Sequence, residues 1–183
     1  QQAKMGASDA ATNDEMGFQV AISGNTAVAG CYKETNTTGA VYVFTRSGTS
    51  WSQQAKLVNS DAAVGGSFGL AVDIDGDYII AGAQELGTGG QAYIFYRSGT
   101  SWSQQAILSG SDTASSDYFG GRVGISGDTA IVGATGNDGA GSDSGAVYVF
   151  TRSGTSWSQQ AKVTSSNASS SDFFGGPCTI DGD

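Results

Sequence analysis

Apolar and small or polar residues alternate in short stretches along the chain, and four kinds of stretch follow one another in the same order in each of three repeats. The first has the form Val-x-Ile after a Phe-Gly or Met-Gly step, and the second ends in Gly-Ala or Gly-Cys. The third is aromatic and ends in Phe, and the fourth contains Ser-Trp-Ser-Gln-Gln-Ala. Because side chains alternate between the two faces of a strand, this period predicts four β-strands per repeat, and Gly beside Asn or Asp predicts tight hairpin turns.

One decapeptide, Arg-Ser-Gly-Thr-Ser-Trp-Ser-Gln-Gln-Ala, occurs three times without change, at residues 46–55, 97–106 and 152–161. Repeats of about 40 to 50 residues built from strands are typical of propeller blades, since one blade cannot bury its own faces and must stack on a neighbour. The sequence therefore predicts an all-β fold of tandem four-stranded antiparallel blades, in a β-propeller or an open propeller-like array.

The repeat boundaries predict three complete blades, at residues 16–60, 61–110 and 111–165. We expect residues 1–15 to hold the last strand of a preceding blade and a linker. Residues 166–183 are expected to supply the first strand of a further blade. The chain is thus interpreted as a fragment of a longer array, which leaves three arrangements open: a ring of four blades, a ring of seven, or open head-to-tail stacking.

The Phe-Gly step and the later Gly-Ala step together resemble the FG-GAP repeat, a family found in the propellers of integrin α chains and in secreted or surface proteins of microbes. The Gly-Ala steps are Gly82-Ala83 and Gly133-Ala134, with Gly30-Cys31 as a variant. The Pro expected next is Tyr32, Gln84 or Thr135, which fits the shorter microbial subfamily. The resemblance implies a β-propeller that acts outside the cell or at its surface.

The composition excludes several classes of catalytic and binding site. The chain has no His, only two Cys and a net charge of −9 with eight Lys and Arg. Catalysis that needs His, His-containing zinc sites and a basic nucleic-acid surface are therefore excluded by the residues themselves. No apolar run approaches the ~20 residues of a membrane span. These residues show no signal-peptide pattern, and we expect a signal peptide upstream of the fragment. We expect a non-enzymatic extracellular or cell-surface protein without a cofactor.

Calcium is a secondary candidate, because the resemblance implies Ca²⁺ binding in the first hairpin of integrin-type repeats. Asp73, Asp75 and Asp77 alternate in that hairpin, and Asp138 and Asp143 lie in a second acidic loop. Ca²⁺ takes six to eight oxygen ligands, and the hairpin loop is too short to supply them. We favour turn residues that hydrogen-bond their own backbone. The second loop offers a weak ion site or is a flexible polar loop, which we favour.

Four further positions are candidates for modification. Cys31 and Cys178 replace Ala and Val of the other repeats, so they predict either two buried thiols or a disulfide that closes a ring or links copies. Asn36 and Asn167 begin Asn-x-Ser/Thr sequons and are candidate glycosylation sites.

The invariant hairpins also predict a row of Arg and Trp side chains with two interpretations. They form a binding surface for a periodic partner such as a polysaccharide, or the Trp side chains pack under the neighbouring strand, which we favour. The candidates are Arg46, Trp51, Arg97, Trp102, Arg152 and Trp157.

The sequence favours a structural or adhesive role, with assembly of copies or neighbouring repeats into a fibre or surface layer. The first alternative is a closed propeller that binds a glycan or an extracellular protein. The second is an accessory propeller domain of a larger secreted hydrolase.

Overall fold

The computed structural model describes residues 3–139 and 141–182, and these residues form three four-stranded antiparallel sheets, each in sequential strand order. Blade 1 contains β1 to β4, blade 2 contains β5 to β8 and blade 3 contains β9 to β12. The predicted fold class is confirmed. The strands are β1 Val20–Ser23, β2 Thr26–Cys31, β3 Ala40–Ser47, β4 Ser50–Leu57, β5 Val72–Asp75, β6 Tyr78–Ala83, β7 Gln91–Ser98, β8 Ser101–Leu108, β9 Phe119–Ser126, β10 Thr129–Ala134, β11 Ala146–Ser153 and β12 Ser156–Val163, and a single turn α1 spans Glu34–Thr37.

The hairpins follow from glycine at positions where the backbone is left-handed. Gly24 and its counterparts in the other blades turn β1 into β2, β5 into β6 and β9 into β10 with φ near +55°. L-residues with a side chain avoid this region, so glycine fixes the turn and with it the strand register. The outer pair of each blade carries one register shift, between Val43 and Phe44 in blade 1 and at the same place in blades 2 and 3.

The apolar core lies between blades rather than within one sheet. One cluster joins Val28, Val41 and Val43 of blade 1 to Val72 and Ile74 of blade 2, and a second cluster joins blades 2 and 3 in the same way. We call the side of a blade that faces the next blade its trailing face and the side that faces the previous blade its leading face. We call the contact between two consecutive blades a joint. Each joint therefore buries one trailing face against one leading face.

The terminal segments are less regular than the blades. Among the described residues, 3–15 and 164–182 contain no strand. The strand expected at the start of the chain includes residues 1 and 2, which lie outside the described residues, and the partial blades expected at the two ends stay predictions. The second segment still lies against blade 3, where Phe174 forms an isolated parallel bridge with Gly145.

Candidate functional site

The joints between blades are built on a contact between two glycines. A Cβ added to Gly82 would lie 1.8 Å from the carbonyl oxygen of Gly120 in the next blade. The first joint repeats this geometry, since a Cβ added to Gly30 would lie 1.9 Å from the Gly69 oxygen. The glycine of each Gly-Ala step thus contacts the glycine of the following Phe-Gly step, backbone against backbone. This close approach explains why both steps of the repeat require glycine.

The aromatic residue of the Phe-Gly step is buried beside the aromatic strand of its own blade. Phe68 packs edge-on against Tyr93 at 5.5 Å between ring centroids, and Phe119 packs against Tyr148 at 5.3 Å. Such edge-on contacts are the favoured geometry of aromatic pairs. They hold the Phe-Gly backbone in the position where its glycine meets the preceding blade.

A second recurrent contact links the first hairpins of successive blades. The Gly76 N–H donates to Ser23 Oγ at 3.0 Å, and the Gly127 N–H donates to Asp75 Oδ2 at 2.8 Å. The Gly182 N–H donates to Ser126 Oγ at 3.1 Å, so the carboxyl-terminal segment reproduces the contact on blade 3.

The five Asp residues proposed as calcium ligands have other partners. Asp73 accepts hydrogen bonds from the backbone N–H groups of Ile74 and of Ile125 in the next blade, at 2.8 and 2.9 Å. Burial raises the pKa of the Asp73 carboxyl, an effect that these two donors oppose.

Asp77 pairs with Arg97 at 2.7 Å, and Asp138 accepts from the Asp143 N–H at 2.8 Å. No group of three or more His, Cys, Asp or Glu that would hold a metal is found within residues 3–139 and 141–182. The hairpin carboxylates thus lie in the joints and their turns, and calcium binding stays a prediction.

The Arg and Trp side chains of blades 2 and 3 contact the preceding blade. The Trp102 Nε1–H donates to Gln54 Oε1 at 2.8 Å, and the Trp157 Nε1–H donates to Gln105 Oε1 at 3.0 Å. Arg97 also donates to Thr26 Oγ1 of blade 1 at 2.9 Å.

Each of the three guanidinium groups lies over the Trp ring of its own hairpin, at 5.6 Å for Arg46 and Trp51, 5.2 Å for Arg97 and Trp102, and 5.9 Å for Arg152 and Trp157. Arg152 also lies 4.2 Å from the ring centroid of Tyr78 in blade 2 and pairs with Asp128. In blades 2 and 3 these Arg and Trp side chains therefore lie against the neighbouring blade, as the interpretation of Trp as a packing residue expects. The polysaccharide-binding surface stays a prediction.

A hydrogen bond from a Tyr to an Asp, which the sequence analysis did not predict, fixes the segment that leads into each blade. Tyr148 Oη donates to Asp112 at 2.7 Å, and Lys162 Nζ donates to the other oxygen of that carboxylate at 2.6 Å. These donors lower the pKa of Asp112, with Lys162 contributing most. Asp9 and Asp61 accept from Tyr42 and Tyr93 in the same way. The available signal was the dipeptide Ser-Asp, which recurs at residues 8–9, 60–61 and 111–112.

Both cysteines are free thiols in the structure. Cys31 is buried in β2, and its Sγ–H donates to the Asp14 carbonyl at 3.2 Å. Burial, with smaller contributions from Asp14 and Glu34, raises the pKa of the Cys31 thiol to about 11. Cys178 is half-buried, and burial also raises the pKa of its thiol. The structure contains no bond between the two thiols, and a disulfide, within one chain or between copies, stays a prediction.

The two sequon asparagines lie at the surface. Asn36 is exposed in α1, and Asn167 is exposed with its side-chain oxygen accepting from Ser165 Oγ at 2.7 Å. Exposure is required for glycan attachment and does not establish it, so glycosylation stays a prediction.

Within residues 3–139 and 141–182, no blade lies against the leading face of blade 1. Val20 and Ile22 are 64% and 62% exposed, whereas their counterparts Val72 and Ile74 in blade 2 are 1% and 5% exposed. The open face forms an apolar groove of about 380 Å³ that is also lined by Met5 and other residues of blade 1.

The stacked four-stranded sheets and their uniform joints define a blade array of the β-propeller type. The chain belongs to the FG-GAP repeat family, whose sequence model matches residues 1–44, 51–95 and 102–150. Among solved structures, the crystal structure of Saccharomyces cerevisiae Sqt1 resembles it with a TM-score of 0.55 and 10% identity. That alignment covers 84% of this chain and 37% of the Sqt1 chain, and it supports the fold alone.

No curated protein matches the chain. The part of the chain that the structure describes contains no helix long and apolar enough to cross a membrane.

Proposed function

We propose that this protein is a non-enzymatic extracellular repeat protein with a structural or adhesive role. The observation that carries the proposal is the position of the repeated residues: the invariant glycines, and the Trp and Arg side chains of blades 2 and 3, face the neighbouring blade. Several of the residues kept the same in every repeat thus serve blade stacking. A stack of this kind can be extended, since each joint is made from the same parts.

Membership of the FG-GAP family supports the extracellular location, because such repeats are typical of extracellular proteins. The composition agrees with a solvated exterior, since the chain is 14% charged, acidic overall and rich in Gly. Acidic surface charge keeps an exposed repeat protein soluble.

The test is to locate the native protein and its assembled form. Antibodies raised against the chain are applied to intact and to permeabilised cells of the source organism, followed by electron microscopy of the labelled material. We expect label on intact cells, on extended or layered assemblies. Label that appears only after permeabilisation would contradict the extracellular location, and label on dispersed single particles would contradict the structural role.

A closed propeller that binds a glycan or an extracellular protein is the second candidate. The observation that favours it is the difference between the loops that join the second and third strands, at residues 32–39, 84–90 and 135–145. Loops that differ from blade to blade are suited to recognising an irregular ligand. Binding of the chain on a glycan or surface-protein array, lost when the three loops are made identical, would support this function.

A further inference from the structure

The leading face of blade 1 carries the residues that blades 2 and 3 bury in their joints. Val20 and Ile22 occupy the positions of Val72 and Ile74, which lie in the apolar cluster of the first joint. Gly17 occupies the position of Gly69, but a Cβ added to Gly17 would meet only the side chain of Val20, at 4.0 Å. The face is thus formed like the leading faces of blades 2 and 3, and among the described residues no blade covers it.

The trailing face of blade 3 is open in a complementary way. Ile131, Val147 and Val149 are half-buried, and Val163 is 44% exposed. The equivalent residues of blade 1 are buried by blade 2: Val28, Val41, Val43 and Leu57. An apolar surface of this kind is covered at both joints within the chain, so the two faces are complementary in the way that the two sides of each internal joint are.

We propose that the leading face of blade 1 binds the trailing face of blade 3 in a second copy of this chain, head to tail. The inference rests on the proposed structural role and names its partner and its surface. The argument is continuity with an interface that the chain already contains twice. By that geometry Gly17 packs against Gly133 of the second copy, and the Trp51 indole N–H donates to its Gln160, as Trp157 donates to Gln105.

The carboxyl-terminal segment occupies part of the same trailing face. A Cβ on Gly133 would lie 2.2 Å from the Gly175 oxygen, and Ile180 lies against the position of Gly124. Ile180 and Ile22 are the same position of the repeat, so both cannot fill this place on one blade 3. The segment at residues 174–182 therefore competes with the second copy and weakens the assembly.

The experiment is analytical ultracentrifugation of the purified chain over a wide concentration range with reductant present, so that disulfides play no part. Ile22→Asp places a carboxylate in the open groove, and Ile180→Asp loosens the competing segment. Val64→Asp is the matched control, because Val64 is 77% exposed in the loop before β5 and does not line the groove. Circular dichroism melting confirms that each variant stays folded.

We expect the unmodified chain and Val64→Asp to associate equally, in steps of one chain. Burying a carboxylate without a partner is costly, so Ile22→Asp should weaken association by at least about tenfold. Ile180→Asp should strengthen it. Association that Ile22→Asp leaves unchanged would overturn the proposal, as would a monomer at all concentrations in both the unmodified chain and Ile180→Asp.

The two proposals fail separately. A monomeric chain found on intact cells would contradict the head-to-tail contact but not the extracellular location. A chain that associates through Ile22 but is found only inside cells would contradict the extracellular location but not the head-to-tail contact.

Discussion

Gly82 in blade 2 contacts the carbonyl oxygen of Gly120 in blade 3 so closely that a Cβ would lie 1.8 Å from that oxygen. Both partners are backbone atoms, so neither can turn away as a side chain would. The distance between consecutive blades is therefore set by the absence of two side chains.

Gly82→Ala is expected to lower the free energy of unfolding by about 1 to 3 kcal/mol, because overpacking at a backbone contact forces the blades apart. Urea denaturation followed by tryptophan fluorescence measures the change. Gly6→Ala is the control, since a Cβ there meets nothing within 4 Å. Equal stabilities of the two variants would show that the joint adjusts without cost.

The bond between Trp102 and Gln54 is expected to contribute about 0.5 to 1.5 kcal/mol to stability, as a hydrogen bond between partly buried side chains does. A double-mutant cycle with Trp102→Phe and Gln54→Ala isolates this coupling in urea unfolding. The cycle of Gln54→Ala with Trp157→Phe, which lies in the other joint, is the control and should be additive. Additivity in both cycles would mean that the indole bond contributes nothing to the joint.

Stability is expected to depend on pH through Asp112, whose pKa is lowered in the folded chain by Lys162 and Tyr148. A carboxyl with a lowered folded pKa stabilises the fold above its unfolded pKa of about 3.9, and this contribution is lost as pH falls through the folded value. Asp112→Asn should therefore lower the free energy of unfolding by about 1 kcal/mol at neutral pH and by much less in acid. The effect is small because the Asp112 side chain is half exposed and the ion pair with Lys162 is screened by solvent. A difference between the two proteins that stays constant from neutral to acid pH would contradict this account.

Cys31 is expected to resist alkylation in the folded chain. At a pKa of about 11 little thiolate is present near neutral pH, and the side chain is buried. Reaction with iodoacetamide should be at least about a hundredfold slower than in the urea-unfolded chain, where the pKa is near 8.5. Peptide mapping by mass spectrometry follows the Cys31 peptide alone. Equal rates in the two states would mean that blade 1 opens readily and leaves the Cys31 thiol accessible for a bond between copies.

The strands and blades were predictable because their signals are local. The alternation around Val72 and Ile74 and the glycine of each hairpin act over a few residues, so the sequence carries them directly. The terminal segments show the limit of such signals, because strand pairing depends on a neighbour and not on the alternation alone.

The candidate site was less predictable because its partners lie in another blade. Asp73 and Asp75 have the spacing of metal ligands along one hairpin, yet they accept from Ile125 and Gly127 in the next blade. Nothing in the spacing of the chain shows which side chain faces which blade. The Ser-Asp contacts were missed for a different reason: they lie in the segments between strands, which alternation does not describe.

The uniform joint also bears on how such a gene changes in length. Gly30 and Gly82 each meet the same backbone atom of the following blade, and Gly133 meets its counterpart, the Gly175 oxygen, in the carboxyl-terminal segment. Insertion or deletion of a segment that runs from one decapeptide to the next would add or remove one whole repeat. Such a change would keep the glycine pair at every remaining joint, so an array of this kind can lengthen or shorten in units of one blade.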